Sequence, residues 1–467
     1  MLRVNFSSIA VPDALHKSAV PGRRDPRCYS PPINAVRHPL GQGDFMAQIV
    51  VTTFVKNLLG GGAERVAVNL LQGLPQDVFT QELVMVEALG PYLAQVPEHV
   101  KQIDLGSGGG MKEQGNVTAA IAPLVRYLRE RKPDILISHL AHANVAAVIA
   151  AACARTGTKV VLIEHNDNTL VDQARTRSKL SSLMQQFKSL TYNRADTIIG
   201  VSDGVSRYVS RTFNVPETKV ETIYNPVVSS AMMARSHEPL LHPWFAPDAP
   251  PVLLASGRLR EQKDFSTLLR AFAIVRQSRS CRLLILGEGE LRPELEAEVA
   301  ELGLQDSVLL PGFVDNPYPY MRAASLFVLS SRWEGLPTVL VEAMACGTPV
   351  VATACPSGPA EILEDGEHGQ LTEMGDPNAL AGAILAELAA PTPSEQLEAR
   401  AACFSFENAI ASYTDLLVSK AAQPGRPGAV REPKTSPPVP TTNRASAPGQ
   451  RALQTREADP KRRGKWN

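Results

Sequence analysis

Two successive series of short apolar runs, each run separated from the next by an amphipathic stretch, constrain this chain more than any other feature. The first series is 49–54 (IVVTTF), 82–86 (ELVMV), 135–138 (ILIS), 160–163 (VVLI) and 197–201 (TIIGV). The second is 252–256 (VLLAS), 283–287 (LLILG), 307–311 (SVLLP), 325–329 (SLFVL) and 349–352 (PVVA). Runs this short without polar alternation suit strands buried on both faces, which means parallel sheets covered by helices. The intervening stretches carry helical stripes, such as Ala67, Leu70, Leu71 and Leu74, or Leu268, Leu269, Phe272 and Val275. Residues 229–250 break the rhythm and read as a linker. The expectation is an α/β protein of two doubly wound, Rossmann-like domains facing across a cleft, 46–235 and 236–404. A closing helix at 405–420 follows. Ligands of such sheets bind beyond the carboxyl ends of the strands, so the cleft is the expected site.

Length agrees, since 467 residues exceed what one core usually supports. Charge is uneven. Residues 1–45 carry six Lys/Arg and three Asp/Glu, and residues 421–467 carry ten and three, which leaves 46–420 at net −10. A folded part this acidic argues against nucleic acid as a partner. Both ends are proline-rich, lack periodicity and read as disordered: a 1–45 extension and a basic 421–467 tail. Met46 directly precedes the first strand, so either it is the true start or 1–45 is a targeting segment. Six scattered cysteines without a C-x-x-C pair fit neither a disulfide scaffold nor a zinc site. The small-apolar run Ala143–Ala154 is about half of the ~20 residues a spanning helix needs. The expected location is cytoplasmic, with peripheral contact at the inner face of a membrane left open.

The strongest chemical signal is Arg332-Trp-Glu334-Gly-Leu-Pro-Thr338-Val-Leu-Val-Glu342-Ala-Met-Ala-Cys-Gly347-Thr-Pro349-Val-Val. It places a loop after a buried strand and then a helix. Pro337 suits the first helical position, where its missing N–H costs nothing. The amides of Thr338 and Val339 then point at the cleft, and a helix N-terminus attracts phosphate. Glu334 in the loop and Glu342 one turn into the helix suit acceptance from sugar hydroxyls beside a diphosphate. A second signal is Ser256-Gly-Arg258-Leu-Arg-Glu-Gln-Lys263-Asp-Phe, just past the first strand of the second series. Fixed cations there would stabilise charge developing on a leaving diphosphate. The chain contains no D-x-D motif, so no metal is expected. The glycine-rich Gly60-Gly61-Gly62-Ala63-Glu64-Arg65 lies between the first strand and first helix, where backbone can approach an anion closely. Glu164-His165-Asn166 ends a strand, as does Ser138-His139-Leu-Ala-His142; the two histidines of the latter suit acceptor contact or packing.

Two glutamates seven residues apart followed by G-x-P-V-V resemble the donor-site signature of retaining glycosyltransferases of family four, which have the GT-B fold. The resemblance covers nearly all of 46–420. It implies that Glu342 holds the nucleotide ribose and Glu334 the transferred sugar near its anomeric carbon. It also implies that the amides at Thr338 and Val339 meet the distal phosphate, with Arg258 and Lys263 on the diphosphate in place of a metal. Gly61 and Gly62 would close over the phosphates, Gly287 would face the cleft, Val314 would sit near the base, and His165 near the reacting sugar. Ser357-Gly358-Pro359-Ala-Glu361-Ile is typical of one branch of the family, without a chemical role to attach to it. The donor would be a nucleotide diphosphate sugar, by default UDP-linked, and the acceptor an oligosaccharide or lipid-linked glycan.

Three rivals share parts of this pattern. A sugar-nucleotide 2-epimerase has the same architecture, a catalytically inactive GT-B protein would keep the fold, and a dinucleotide-dependent oxidoreductase would have Rossmann units. The Glu334–Glu342 motif with Arg258 and Lys263 favours transfer, and G-x-G-x-x-G follows the first strand of neither series.

The tail leaves two readings open: a solvated extension, or a tether to anionic lipid through Lys461-Arg-Arg-Gly-Lys465-Trp466. Juxtamembrane basic residues contribute roughly 1 kcal/mol each, and tryptophan favours the headgroup region. On the tether reading, full-length protein sediments with anionic liposomes more than a 1–422 truncation does, and less so in high salt. Equal sedimentation of the two would assign any membrane contact to the folded part.

Overall fold

The computed structural model describes residues 48–59, 61–106, 117–169 and 179–423. The terminal extensions 1–45 and 424–467, Met46 and Gly60 lie outside the described residues. Within them the chain forms two all-parallel sheets with helices on both faces. The first sheet holds β1 (Ile49–Val55), β2 (Phe79–Met85), β3 (Lys101–Asp104), β4 (Ile135–His139), β5 (Lys159–Glu164), β6 (Thr197–Gly200) and β7 (Val220–Thr222), in the order β3-β2-β1-β4-β5-β6-β7. The second holds β8 (Val252–Ser256), β9 (Arg282–Leu286), β10 (Val308–Gly312), β11 (Leu326–Leu329), β12 (Val350–Thr353) and β13 (Gln370–Thr372), in the order β10-β9-β8-β11-β12-β13.

Burial explains which strands the apolar runs announce. Every residue of β4, β5 and β6 is buried, because helices cover both faces of these inner strands. The strands that no run announced, β3, β7 and β13, lie at sheet edges and are exposed or half-buried along most of their length. Sequences such as KQID, VET and QLT need no continuous apolar character there. The small-apolar run becomes the helix Ala141–Ala154, with Ala143, Ala146, Ala147 and Ala150 buried. No described helix is long and apolar enough to cross a membrane.

Helix starts follow local chemistry. Ser202 accepts from the Val205 amide and opens the helix Asp203–Phe213, and Asp264 accepts from the Thr267 amide and opens Phe265–Ser278. Caps of this kind are each worth about 1 kcal/mol.

Strand order reverses direction between β1 and β4 in the first sheet, and between β8 and β11 in the second. These switch points are where doubly wound sheets open a crevice at their carboxyl ends. The glycine-rich loop follows β1 and the His139–His142 segment follows β4. Arg258 and Lys263 follow β8, and Glu334 follows β11. Four motifs far apart in sequence are therefore brought to the two switch points.

One apolar cluster draws on both sheets, with Val51 and Ile137 from the first, Leu254 and Phe327 from the second, and Tyr413 and Leu417 from the last helix. That helix, Phe406–Ala422, includes two residues the sequence reading gave to the tail. Ser405 caps it by accepting from the Asn408 amide. Immediately before it, the Val227 and Val228 amides donate to the Phe404 carbonyl at 3.1 Å each, and the Phe406 amide donates to the Val228 carbonyl at 2.8 Å. Lys420 pairs with Glu221 of β7 at 3.3 Å. The last helix thus lies on the first half of the chain.

Tyr413 and Leu417 are fully buried, and burying a side chain of this size is worth ~1.5–3 kcal/mol. Truncation after residue 400 is expected to lower the melting temperature by roughly 10 °C or more. Truncation after 422 leaves every described buried contact in place and should not. Equal melting temperatures for the two truncations would contradict this.

Candidate functional site

The β11 loop ends at Pro337, which serves as the N-cap of the helix Thr338–Ala345 and not as its first helical residue. The difference of one position leaves the chemistry intact. The Leu340 amide returns to the Pro337 carbonyl at 3.0 Å, so Thr338 and Val339 head the helix with amides that have no intrahelical acceptor. Glu334 precedes this terminus and Glu342 follows it by one turn.

The β8 loop meets the β11 loop directly. The Arg332 amide donates to the Gln262 carbonyl at 2.8 Å, the Gln262 side chain donates to the Trp333 carbonyl at 2.9 Å, and Ser330 Oγ donates to the Lys263 carbonyl at 2.7 Å. Across this lacing Lys263 Nζ lies 2.6 Å from Glu334 Oε1, which also accepts from Ser331 Oγ at 2.7 Å. Both charged side chains are largely buried, at 15% and 8% exposure. Sequence gave Lys263 to the diphosphate and Glu334 to the sugar; the structure joins them in one ion pair. Arg258 is exposed, and its guanidinium pairs with no carboxylate among the described residues. Gly287 has φ +136°, and a Cβ there would lie 2.0 Å from the Gly257 carbonyl oxygen. Close contact between the β8 and β9 loops already requires glycine at that position. Val314 is half-buried and packs on the main apolar cluster, while the neighbouring Phe313 is 77% exposed.

From the first half, Gly61 is the N-cap of the helix Gly62–Gly73 and adds no side-chain cap. A Cβ at Gly62 would meet nothing within 4 Å. Arg65, one turn into this helix, stacks on Tyr92 at 3.9 Å. Its charge reaches the other half. Burial lifts the Glu342 carboxyl to about 7, and Arg65 is the largest of the influences that pull it back, ahead of a hydrogen bond with Thr338. Burial first and then Glu342 push the Tyr318 hydroxyl well up, so it stays neutral.

Two imidazoles of the first half, those of His139 and His165, are buried. His139 and His165 stack with centroids 5.3 Å apart, and His139 Nδ1 lies 3.1 Å from His165 Nε2. Burial holds His165 down at about 3, and burial together with His165 holds His139 well below its usual range. Both rings are neutral near pH 7, so one donates to the other. The part of His165 nearest Gly335 is its backbone carbonyl. Its neighbour Glu164 is a buried structural group that accepts from Tyr192 OH. His142 is exposed. Among the described residues one group of three side chains could converge on an ion, Glu364, Glu367 and His368, and it contains none of the donor-site candidates.

Several residues at the junction of the halves escaped the sequence reading. Arg65 was visible as the last letter of the glycine-rich motif. Asp167 and Ser202 carried no local signal, and Ser357 and Glu361 lay in a motif without an assigned role.

Two parallel sheets with a helix N-terminus, two carboxylates and paired cations at the switch points define the GT-B class. Known proteins agree. Residues 60–230 match the model of Glycosyltransferase Family 4, and residues 250–389 that of Glycosyl transferases group 1. A Campylobacter jejuni N-acetylgalactosamine-N,N'-diacetylbacillosaminyl-diphospho-undecaprenol 4-alpha-N-acetylgalactosaminyltransferase is 30% identical over 70% of this chain and 87% of its own. The amylovoran biosynthesis glycosyltransferase AmsD of Erwinia amylovora is 26% identical over 63% of this chain and 78% of its own. In fold, the chain is similar to Anabaena HepE crystallised with UDP, with a TM-score of 0.63 at 20% identity over 80% of this chain and all of that one. The chain belongs to glycosyltransferase family 4 and is a glycosyltransferase.

A carboxyl group that titrates near 7 beside a ligand site makes binding depend on pH. Glu342 is ionised above about 7 and protonated below it. Nucleotide-sugar affinity should therefore fall as pH drops from 8 to 6, by up to about tenfold per unit below 7. A nucleotide sugar is the right probe, because a free nucleotide diphosphate titrates near ~6 itself. Fold stability runs the other way: a carboxyl whose folded value is raised loses stability as pH climbs from 4.5 through about 7. On Glu342→Gln, titration calorimetry should show the affinity slope removed and thermal melts the stability slope reduced; an affinity slope that survives would clear Glu342 of the role.

Proposed function

We propose that this chain is a retaining glycosyltransferase that moves a sugar from a UDP-sugar to an oligosaccharide or lipid-linked acceptor, without a metal. The observation that carries the reading is the β11 loop and helix, where Glu334, two unclaimed amides and Glu342 follow one another along the ligand edge of the second sheet. In this reading the Thr338 and Val339 amides bind the distal phosphate, aided by Arg258 and Lys263, and Glu342 accepts from the ribose. Glu334 accepts from the transferred sugar. Gly61 and Gly62 approach the phosphates from the first half, Val314 borders the base, and His165 borders the sugar.

Transfer then proceeds on one face of the sugar. The bond from the anomeric carbon to the phosphate oxygen breaks, the acceptor oxygen forms its bond to that carbon, and the acceptor proton passes to an oxygen of the departing diphosphate. The amides and cations stabilise the charge that grows on the leaving group. His165, neutral and bonded to His139, acts by position and not by proton transfer. The relative in C. jejuni is named for a diphospho-undecaprenol acceptor, and HepE was crystallised with UDP; both support this choice of partners. We place the enzyme in the cytoplasm at a membrane face. In support, Leu183, Met184, Phe187 and Leu190 of the helix Lys179–Tyr192 are exposed along one side. The vesicle comparison above separates this face from the tail.

A panel of nucleotide sugars, assayed for nucleotide diphosphate release with acceptor and excess EDTA, tests the reading directly. Turnover should persist in EDTA, and anomeric configuration should be kept in the product. Glu334→Ala should lower kcat tenfold or more with donor affinity little changed, whereas Glu342→Ala should mainly weaken the nucleotide. Loss of activity in EDTA with recovery on Mn²⁺, or equal effects of both substitutions on nucleotide affinity, would overturn the assignment.

A further inference from the structure

In the segment after β12, the side chains of Ser357 and Glu361 reach into the other half of the molecule. Both Glu361 carboxylate oxygens accept from the Asp203 amide at 3.0 Å, and Oε2 also lies 3.5 Å from the Gly204 amide. Oε1 accepts from Tyr224 OH at 2.8 Å. Asp203 and Gly204 begin the helix that follows β6. A carboxylate at that position satisfies orphan amides and meets the positive end of the helix dipole. The helix is therefore capped once by its own Ser202 and a second time from the opposite half. Glu361 is also held from behind, because Arg400 donates to its carbonyl at 2.7 Å and to the Ile362 carbonyl at 2.9 Å.

The other contacts of this seam lead to the reacting groups. Ser357 Oγ donates to Asp167 Oδ2 at 2.8 Å, both residues being buried. The Asp167 amide donates to the Glu334 carbonyl at 3.2 Å, and Ser202 Oγ donates to the Gly335 carbonyl at 2.8 Å. The loops touch through backbone at Gly335, where a Cβ would lie 1.9 Å from the His165 carbonyl oxygen. Three polar contacts and one steric constraint thus converge on two short segments, 165–167 and 334–335.

We propose that Glu361 and Ser357 are positioning residues for sugar transfer, and that the cross-half cap on the Asp203 helix fixes the spacing between His165 and Glu334. The proposal rests on the reading that these two residues border the transferred sugar. Neither Glu361 nor Ser357 contacts donor or acceptor; each acts through the loops it holds. In the proposed reading most donor contacts lie within the second half, with Gly61 and Gly62 alone reaching the phosphates from the first, so an altered seam leaves nucleotide binding largely in place. It displaces the sugar from the groups of the first half that must meet it in the transition state. A 1 Å misplacement of that kind can cost on the order of a hundredfold in rate.

The test uses the full chain and the donor–acceptor pair that wild type turns over best, so that a failure of the general reading shows as an inactive wild type. Glu361→Gln keeps the shape but removes the charge and one acceptor oxygen. It should lower kcat about tenfold or more, while UDP-sugar affinity by calorimetry stays within about threefold. Glu361→Asp should recover part of kcat. Ser357→Ala removes one hydroxyl and nothing else, so it keeps the test open if the Glu361 variants fold poorly; it should reproduce the kcat loss in milder form. The idea is overturned if the variants keep wild-type kcat, or if kcat and donor affinity fall in equal proportion. A lowered melting temperature with kcat unchanged would make the seam a purely structural tie, and would overturn it as well.

Discussion

An ammonium and a carboxylate 2.6 Å apart, both withdrawn from water, tie two loops of the second half together. Either charge left alone at that depth would cost several kcal/mol, so each depends on the other. Lys263 belongs to the β8 loop and Glu334 to the β11 loop, the pair of loops that flank the strand-order reversal. Their union fixes the distance across the crevice before any ligand arrives.

Glu342 tells a complementary story. It lies partly exposed in the crevice, yet enough protein surrounds it to lift its carboxyl to about 7, against the pull of Arg65 from the opposite half. A group so close to neutrality is poised to accept hydrogen bonds when a polar partner arrives, and is costly when none does. The buried His139–His165 pair is the opposite case. Two neutral rings satisfy each other in part and exchange no proton with solvent near pH 7.

How much of this was legible in the sequence depended on how local the signal was. Inner strands such as β5 announce themselves because both faces must be apolar; edge strands such as β7 escape because one side meets solvent. Glu334, Thr338, Val339 and Glu342 stood out because a strand, a loop and a helix start follow one another within a dozen residues. Arg258 and Lys263 could be placed by topology, but the Lys263–Glu334 pairing could not, since 71 residues separate the partners. Ser357 and Asp167 are 190 residues apart, and Glu361 and Asp203 158. Nothing in either neighbourhood says that a serine or a glutamate will find its partner in another sheet. Seams between halves are written only in three dimensions.

The chain leaves its first half at Val228 and comes back at Ser405, and those two residues form a parallel bridge with each other. The second half is thus an insertion whose point of departure and point of return are neighbours. An insertion of that geometry can be exchanged as a cassette, because the host closes over the gap without remodelling. Its natural boundaries are the bridge residues, at the start of the 229–250 linker and just before the last helix. Between relatives of this family, 229–404 can be traded as one piece, provided that the host scaffold supplies the partners that Glu361 and Ser357 of the incoming segment need.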